Sequence, residues 1–427
     1  MTDRGAAPTF PDLLRTFTRI GLLSFGGPAG QIALMQHELV DRRGWVEQGA
    51  FLRALNLCHL LPGPEAQQLA TWIGWRLHGV RGGLAAGLLF VIPGALVMLG
   101  LSLLYVMAAG LSWFAALFLG IKAAVLAIVA QALLRIGKRA LGTRFKLALA
   151  LFALLALGLG HVPFPMVVVL AGVVGAIVGR MRPGWLGAHR VEPAAGPGHS
   201  LRRLTAATIA TVATWLVIWA IPMIAIAATL GTGHVLWQVG AFFSRLAVVT
   251  FGGAYAVLAY MAQAAVEHYH WLAPGEMADG LGLAETTPGP LIMVTQFVGF
   301  LAAWRAPEPF SPLVAGLLSA GLTTWVTFAP CFLWIFACAP WMDRLERNPT
   351  LQAALAAITA AVVGVVANLA LWFALHVLFT PRWDLPLVDW RAAGIAVAAG
   401  VLLFRFKRGV LEVLALSALA GLALGQL

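Results

Sequence analysis

Two arginines lie at matching places inside apolar segments of the chain. Arg19 comes six residues before Phe25-Gly26-Gly27, and Arg245 comes six residues before Phe251-Gly252-Gly253. A guanidinium carries a planar fork of donors that fits an oxyanion, so a pair could balance two negative charges. The structural alternative is snorkelling toward water or an ion pair with Glu38. Because the pattern occurs twice, we favour an anion site.

A second repeated feature is a helix break, Pro62-Gly63-Pro64 in one half of the chain and Pro288-Gly289-Pro290 in the other. Each proline removes a backbone donor and restricts the residue before it. A helix that starts after such a break presents free amides and a partial positive charge to an anion. Gln67, Gln68 and Thr71 share one face of the helix that follows the first break and could donate to the same ligand. Hairpin geometry alone is the alternative explanation of the breaks.

Four ionisable residues lie close to these breaks or inside apolar segments. Glu65, directly after the first break, is a candidate proton carrier, and so are His59 and Glu285, which pair when Arg19 is aligned with Arg245. Burial beside a break could shift such groups into the working range, although Glu65 could equally cap its own helix. Lys122 lies within an apolar segment, where a charge costs at least about 2.5 kcal/mol. It either attracts an anion or forms a structural ion pair.

The elements that position these residues must be membrane helices. The chain has 427 residues, is 61% hydrophobic and 11% charged, and has a mean hydropathy of +0.88. This composition excludes a soluble globular domain. The formal charge of +11 is spread between apolar runs, which indicates orientation in the membrane and argues against a nucleic-acid partner. The three cysteines show no metal-ligand or disulfide spacing, so we expect no metal and no cofactor.

The sequence contains an internal duplication. The gap-free alignment that pairs Arg19 with Arg245, called the repeat alignment below, also pairs Trp45 with Trp271 and each break with its counterpart. After a small change of register, Pro93 pairs with Pro330. Segments 13–25, 28–40, 50–61 and 64–78 are too short to span a membrane, which takes about 20 residues. They predict half-helices whose breaks line a site, since irregular backbone at membrane depth must be buried in protein or face a cavity.

We therefore expect an all-α polytopic integral membrane protein built from two homologous halves. Each half has broken, re-entrant half-helices followed by about four transmembrane helices. The expected domains are residues 1–180, a basic linker plus one extra helix at 181–235, and residues 236–427. Nineteen of the 28 basic residues precede Thr205, which predicts an inverted topology with a cytoplasmic N-terminus. Inverted repeats with broken helices at mid-depth are typical of alternating-access transporters, so we expect no catalytic residues.

The motifs SFGGPAGQ, LPGPEAQQLAT and GGLAAGLLFVIPG carry a family resemblance. The chain resembles a long-form, two-domain bacterial chromate transporter of the ChrA type, in the chromate ion transporter family, over both halves. The resemblance implies a multi-pass carrier of the bacterial inner membrane. It would export chromate, a tetrahedral dianion, with the proton-motive force and so confer chromate resistance. The second half departs from the pattern at Ala254, Val257 and Leu291, so the first half is expected to supply more of the polar site.

Three questions stay open at this point. Sulfate, molybdate or another small oxyanion would fit the same donors as chromate. A membrane-embedded hydrolase that uses His59 is a weak alternative, because the sequence contains no GxSxG or HExxH motif. The glycine-rich stretch from Gly82 to Gly100 could pack against a second copy in a homodimer or serve folding within one chain.

Overall fold

The computed structural model describes residues 8–108, 110–160, 162–187, 201–251, 254–382 and 385–425, which are helical almost throughout. Six of the helices are long and apolar enough to cross a membrane. Four shorter apolar helices accompany them. These features confirm the predicted all-helical, multi-pass membrane protein.

The first repeat begins with short helices and continues with long ones. Its helices are α1 Phe10–Leu23, α2 Gly27–Gln36, α3 Gln48–Leu60, α4 Glu65–Ala108, α5 Ser112–Ala140, α6 Arg144–Gly158 and α7 Phe164–Met181. Helix α4 is interrupted at His78 and Gly79, where φ is −138° and +61°. Its first part therefore ends where the sequence predicts the end of a half-helix. The second part is long enough to span the membrane and contains Pro93.

One helix, α8 Leu201–Thr229, connects this repeat to the second. The helices of the second repeat are α9 Val235–Val249, α10 Ala254–Gln263, α11 Pro274–Thr286, α12 Val294–Arg305, α13 Pro312–Cys338, α14 Met342–Glu346, α15 Pro349–Leu378, α16 Trp390–Phe404 and α17 Val410–Gly425. A 3₁₀ turn, Leu291–Met293, leads into α12. The described chain departs from an all-helical fold at an antiparallel hairpin between α15 and α16, formed by β1 Phe379–Arg382 and β2 Leu385–Val388.

The duplication extends to individual hydrogen bonds in the turn that follows α2 and α10. Both helices end in a π-helical turn, His37–Arg42 and Ala264–His268. The amide of Trp45 then donates to Leu39 over 2.9 Å, and the amide of Trp271 donates to Ala265 over 2.8 Å. These donors and acceptors are partners in the repeat alignment. The repeats therefore share backbone geometry where their side chains differ.

The two repeats interlock through their long helices. Helix α5 lies against α16 and α17, α15 lies against α6 and α7, and α5 also contacts α15. Small residues allow this close approach. A Cβ at Gly120 on α5 would lie 1.8 Å from the carbonyl oxygen of Ser417, and one at Gly364 on α15 would lie 2.0 Å from that of Ala150. Each repeat therefore buries much of its surface against the other.

The short helices pack unequally on this scaffold. Helices α10 and α11 of the second repeat contact α15, and α11 also contacts α5. Helices α2 and α3 of the first repeat pack mainly against α4, with α14 beside α3. The structure is therefore asymmetric around the helix breaks, although the sequence of breaks is repeated.

Candidate functional site

The first Phe-Gly-Gly break depends on the backbone freedom of glycine. Gly26 and Gly27 have φ values of +83° and +71°, and α2 begins directly at Gly27. A Cβ at either position would meet no atom within 4 Å, so the requirement is conformational rather than steric. Of the predicted site residues, Gly252 and Gly253 lie outside the described residues.

Both Pro-Gly-Pro breaks also turn at a glycine with positive φ. Gly63 has a φ of +119° and Gly289 a φ of +92°. Gly63 additionally has no room for a side chain, because a Cβ would lie 2.9 Å from both Cys331 Sγ and Gln68 Nε2. At Gly289 the nearest atom would be the Phe90 oxygen at 3.4 Å, an ordinary contact. The first break is therefore the tighter of the two.

The breaks of one repeat hydrogen-bond to the breaks of the other. The Gly289 amide donates to the Ser24 carbonyl, and the Gly63 amide donates to the Thr250 carbonyl, each over 2.8 Å. Ser24 and Thr250 precede the two Phe-Gly-Gly elements and are partners in the repeat alignment, as the two glycines are. Such a reciprocal pair is the signature of a local two-fold relation. The four breaks therefore meet around one centre.

A small cavity lies at this centre, and its volume of about 10 Å³ is room for about one water molecule. Four helical segments begin beside it: α2, α4, α10 and the 3₁₀ turn leading into α12. The first turn of a helix has amides without intrahelical partners and a partial positive charge. The residues that line the cavity are Pro28, Gln31, Pro64, Glu65, Ala66, Ala254, Pro290, Leu291 and Ile292. Except for Gln31, they form pairs in the repeat alignment, although only the proline after each glycine is identical in both repeats.

Gln31 links the two repeats beside this cavity. Its buried side-chain amide donates to the carbonyl oxygens of Ser24, at 3.4 Å, and Gly289. Its Oε1 atom is buried and has no partner among the described residues. The matching residue in the second repeat is Val257, so this link exists in one direction only. Both polar side chains that line the cavity, Gln31 and Glu65, come from the first repeat.

Two carboxylates near the breaks have titratable partners. Glu65 Oε1 lies 3.1 Å from His59 Nδ1, with the Glu65 side chain 15% and the His59 side chain 48% exposed. In the second repeat, Glu285 is buried and accepts a hydrogen bond from the Tyr255 hydroxyl over 2.7 Å. His59 and Glu285 occupy matching positions in the two repeats. The predicted proton carriers therefore lie beside the breaks, and of the three only Glu65 lines the cavity.

The predicted polar face after the first break is buried, but its side-chain amides already have partners on the same helix or in the break. Gln67 Nε2 donates to Thr71 Oγ1 over 3.1 Å, and Gln68 Nε2 donates to the Pro62 carbonyl over 2.7 Å. The Oε1 atoms of both glutamines are buried and lack partners among the described residues. Since these residues do not line the cavity, their contact with a ligand stays a prediction.

The two arginines do not line the cavity. The Arg19 side chain is 53% exposed, and its Nη1 atom lies 4.0 Å from Glu38 Oε1. Glu38 also pairs with Arg42 and Arg43, so the structural partner considered for Arg19 is present. Arg245 is exposed as well. The structure thus does not bring the arginine pair together with the breaks, and a role in anion binding stays a prediction.

Lys122 pairs with a residue that sequence reasoning missed. Its Nζ atom lies 3.3 Å from Oδ2 of Asp279, a buried residue of α11. Gln31, Tyr255 and Asp279 are the polar groups at or near the breaks that our sequence analysis did not select. Asp279 could have been found, because an acidic residue inside an apolar membrane segment is costly and usually functional. Gln31 had no such signal, since its importance follows from a contact with a residue of the other repeat.

The geometry suits a small anion better than a metal. Free amides and helix N-termini surround the cavity, and they attract negative charge. Among the described residues, no group of three or more histidine, cysteine, aspartate or glutamate side chains lies together. Glu65 adds one negative charge, which opposes an anion unless a proton or His59 compensates it. The site therefore combines several helix N-termini with one titratable carboxylate.

Comparison with known proteins gives the family. The sequence model described as chromate transporter matches residues 11–176 and again residues 237–422. A chromate transport protein of Cupriavidus metallidurans is 28% identical over 406 residues, 94% of this chain and 90% of that protein. One of Pseudomonas aeruginosa is 32% identical over 362 residues, 84% and 79% of the two chains. A probable chromate transport protein of Synechococcus elongatus is 26% identical over 363 residues, 85% and 84%.

No solved structure matches the chain. The two matched stretches coincide with the two sets of helices that meet at the central cavity, so one family unit occurs twice. This chain belongs to the chromate transporter family.

Proposed function

We propose that this chain exports chromate across the bacterial inner membrane and thereby confers chromate resistance. The observation that carries the proposal is the cavity at which four helical segments begin, and this cavity must widen to admit the anion. Chromate is a tetrahedral dianion, and helix N-termini bind such anions through free amides. The relatives named chromate transport proteins support the choice of this anion.

The reciprocal hydrogen bonds between the breaks support alternating access. Each Pro-Gly-Pro glycine donates to the residue before the other repeat's Phe-Gly-Gly element. Two related halves that meet at one site can exchange conformations and open the site to either side. Helices α2 and α3 pack differently from their counterparts α10 and α11, as one such state requires. We propose that the repeats are inverted and that the N-terminus is cytoplasmic, as the distribution of basic residues predicts.

Energetics favour export. Moving two negative charges out of a cell that is negative inside releases about 4.6 kcal/mol per 100 mV, which corresponds to more than a thousandfold gradient. The membrane potential, a component of the proton-motive force, therefore suffices for the dianion moved alone, and each proton carried out with it lowers this term by about 2.3 kcal/mol per 100 mV. Glu65, which lines the cavity and pairs with His59, would take up a proton as the cavity fills, because a charged carboxylate beside the dianion is unfavourable. Glu285, with Tyr255, is a second candidate proton carrier beside the other break.

A pair of isosteric variants tests whether the cavity binds an anion. Ala254 is buried, lines the cavity and is the first described residue of α10, in whose first turn the partial positive charge of the helix favours an acidic side chain. Ala254→Asn and Ala254→Asp have nearly the same shape and differ by one charge. Two unit charges about 4 Å apart repel by about 4 kcal/mol at the effective dielectric of such sites. With solvent access at the mouth, we expect chromate uptake at least about tenfold weaker for aspartate than for asparagine.

The assay is saturable chromate flux into proteoliposomes under an imposed potential, with sulfate and molybdate as competitors. Equal flux for the two variants would show that the anion does not occupy this cavity. Absence of chromate flux in folded wild-type protein would refute the proposal. Stronger inhibition by sulfate or molybdate than by unlabelled chromate would assign the cavity to another oxyanion.

A further inference from the structure

A second buried polar cluster lies outside the central cavity, where the two repeats meet. Lys122 on α5 and Asp279 on α11 belong to different repeats, and Nζ lies 3.3 Å from Oδ2. The Tyr105 hydroxyl on α4 donates to the same Oδ2 atom over 2.8 Å. The Asp279 side chain is 3% exposed, whereas that of Lys122 is 27% exposed. One carboxylate thus holds three helices together.

The two oxygens of this carboxylate differ. Oδ2 has both partners, whereas Oδ1 is buried and has no hydrogen-bond partner among the described residues. An ionised carboxylate with an unpaired buried oxygen is costly. A proton placed on Oδ1 would remove that charge and leave the hydrogen bond from Tyr105 to Oδ2 intact. Lys122 would then lose its counter-charge.

The charges around Asp279 determine how readily a proton arrives. Glu276 lies three residues earlier on the same helix and pairs with Arg305 of α12. Glu276 disfavours a second negative charge at Asp279, while Lys122 and the paired Arg305 favour it. Lys122 Nζ also lies 3.0 Å from the place of a Cβ at Gly275, in the first turn of α11. The cluster therefore reaches the end of α11 nearest the connecting turn, where water has access.

We propose that Asp279 is a proton-binding site coupled to transport, and that Lys122 is the counter-charge of Asp279 when the proton is absent. Protonation on Oδ1 weakens the contact between α5 and α11 and leaves the Lys122 charge uncompensated. An uncompensated cation attracts an anion, so proton binding and oxyanion binding favour the same conformation. Proton binding then raises the affinity for the oxyanion, and oxyanion binding raises the affinity for the proton by the same factor. The coupling rests on the oxyanion transport proposed above, whereas the proton site itself does not.

The cluster suits a proton better than a metal cation. Hard cations take six or more oxygen ligands, and this site offers one carboxylate, one hydroxyl and a competing ammonium. Helix α11 connects the Asp279 cluster to the cavity, because it ends at Thr286, just before the second Pro-Gly-Pro break. From Asp279 to that end the helix rises about 10 Å. The residue of the first repeat that matches Asp279 is Arg53, so the carboxylate that pairs with Lys122 has no counterpart in the first repeat.

Infrared difference spectroscopy of the purified full-length chain tests the proton site directly. A buried protonated carboxyl group has a C=O stretch that an amide variant lacks. We expect a pH step to produce this band in wild type, and Asp279→Asn to lose it while Glu65→Gln keeps it. Persistence of the band in Asp279→Asn would overturn the assignment, whichever of Glu65 and Glu285 then carries it. Near-normal unfolding of Asp279→Asn/Lys122→Gln would show that the band is not lost through misfolding.

The coupling is tested on the same samples with sulfate and chromate as probes. At fixed pH, either oxyanion should increase the Asp279 band, and Asp279→Asn should flatten the pH dependence of chromate flux. The charge-exchanged variant Lys122→Asp/Asp279→Lys restores an ion pair at this place, so it should recover folding. A normal pH profile in that variant, or a band insensitive to either oxyanion, would reduce the pair to a structural contact. Absence of chromate flux with a normal Asp279 band would refute the proposed function and leave the proton site standing.

Discussion

The two Pro-Gly-Pro glycines allow a controlled test of how tightly the central site is built. Gly63→Ala and Gly289→Ala each add one methyl group and keep the amide that bonds to the other repeat. Both place alanine at positive φ, but the added Cβ meets Cys331 Sγ and Gln68 Nε2 at 2.9 Å in the first case alone. The pair therefore separates backbone strain from lack of space.

The expected magnitudes follow from these contacts. Backbone strain of this kind costs about 1–3 kcal/mol, so Gly289→Ala should lose that much free energy of unfolding. Overpacking adds about 1–3 kcal/mol, so Gly63→Ala should lose roughly 2–6 kcal/mol. Cys331→Ala removes the sulfur and should restore part of that loss. The coupling between Gly63→Ala and Cys331→Ala should be roughly 0.5–3 kcal/mol, because Gln68 still crowds the added methyl group.

The assay is unfolding in mixed-detergent titrations, with chromate flux measured on the same preparations. Gly100→Ala is the control, since a Cβ at Gly100 meets no atom within 4 Å. It should leave flux nearly unchanged and raise the free energy of unfolding by no more than about 1 kcal/mol, because alanine is the better helix former. Equal losses for Gly63→Ala and Gly289→Ala, or purely additive effects of Gly63→Ala and Cys331→Ala, would refute the reasoning. Either result would mean that the first break is no more tightly packed than the second.

Three further variants address the polar groups around the cavity. Glu65→Gln should tighten chromate binding and weaken its pH dependence, because it removes a negative charge from the cavity; binding measured across pH checks this, and weaker binding would contradict it. Arg19→Gln should change stability by no more than about 1 kcal/mol, since Arg19 is half exposed and Glu38 keeps Arg42 and Arg43; loss of saturable chromate flux would support the predicted anion site, and intact flux would reduce Arg19 to a structural partner. Gln31→Leu should lose about 1–3 kcal/mol of unfolding free energy, because the buried carbonyl of Gly289 loses its donor. The control Gln36→Leu, on the same helix, should lose little, and equal losses in the two variants would show that the link between the repeats contributes nothing.

Much of the fold could be predicted because helix breaks have a local cause. Gly-Gly and Pro-Gly-Pro elements end helices wherever they occur, and the segments between them are too short to span a membrane. The structure accordingly has short helices before the first break and an interruption at His78 and Gly79. The duplication could also be predicted from the sequence, since breaks with the same backbone geometry need the same residues at matching positions.

The partners of the polar side chains could not be predicted in the same way. Gln31 bonds to Gly289 and Tyr105 bonds to Asp279, and both contacts cross between repeats. The pair of Arg19 with Glu38 lies within one repeat, and the sequence did offer it as an alternative. Sequence spacing fixes neighbours along one helix but not those brought together by packing of distant helices. The arginine pair was attractive because of its repetition, yet repetition reports shared ancestry of the halves as well as shared chemistry.

The symmetry of the backbone and the asymmetry of the side chains have different consequences. In the alternating access proposed above, the reciprocal hydrogen bonds at Gly63 and Gly289 would give both repeats the same means of closing the cavity. Gln31, Glu65 and Asp279 have Val257, Leu291 and Arg53 as their counterparts, so the two closed states differ in polar contacts. Two states with different ionisable contacts respond differently to protons, so proton binding shifts the balance between them. The side-chain asymmetry would thus couple the exchange of states to protons, while the gradients across the membrane set the direction of net transport.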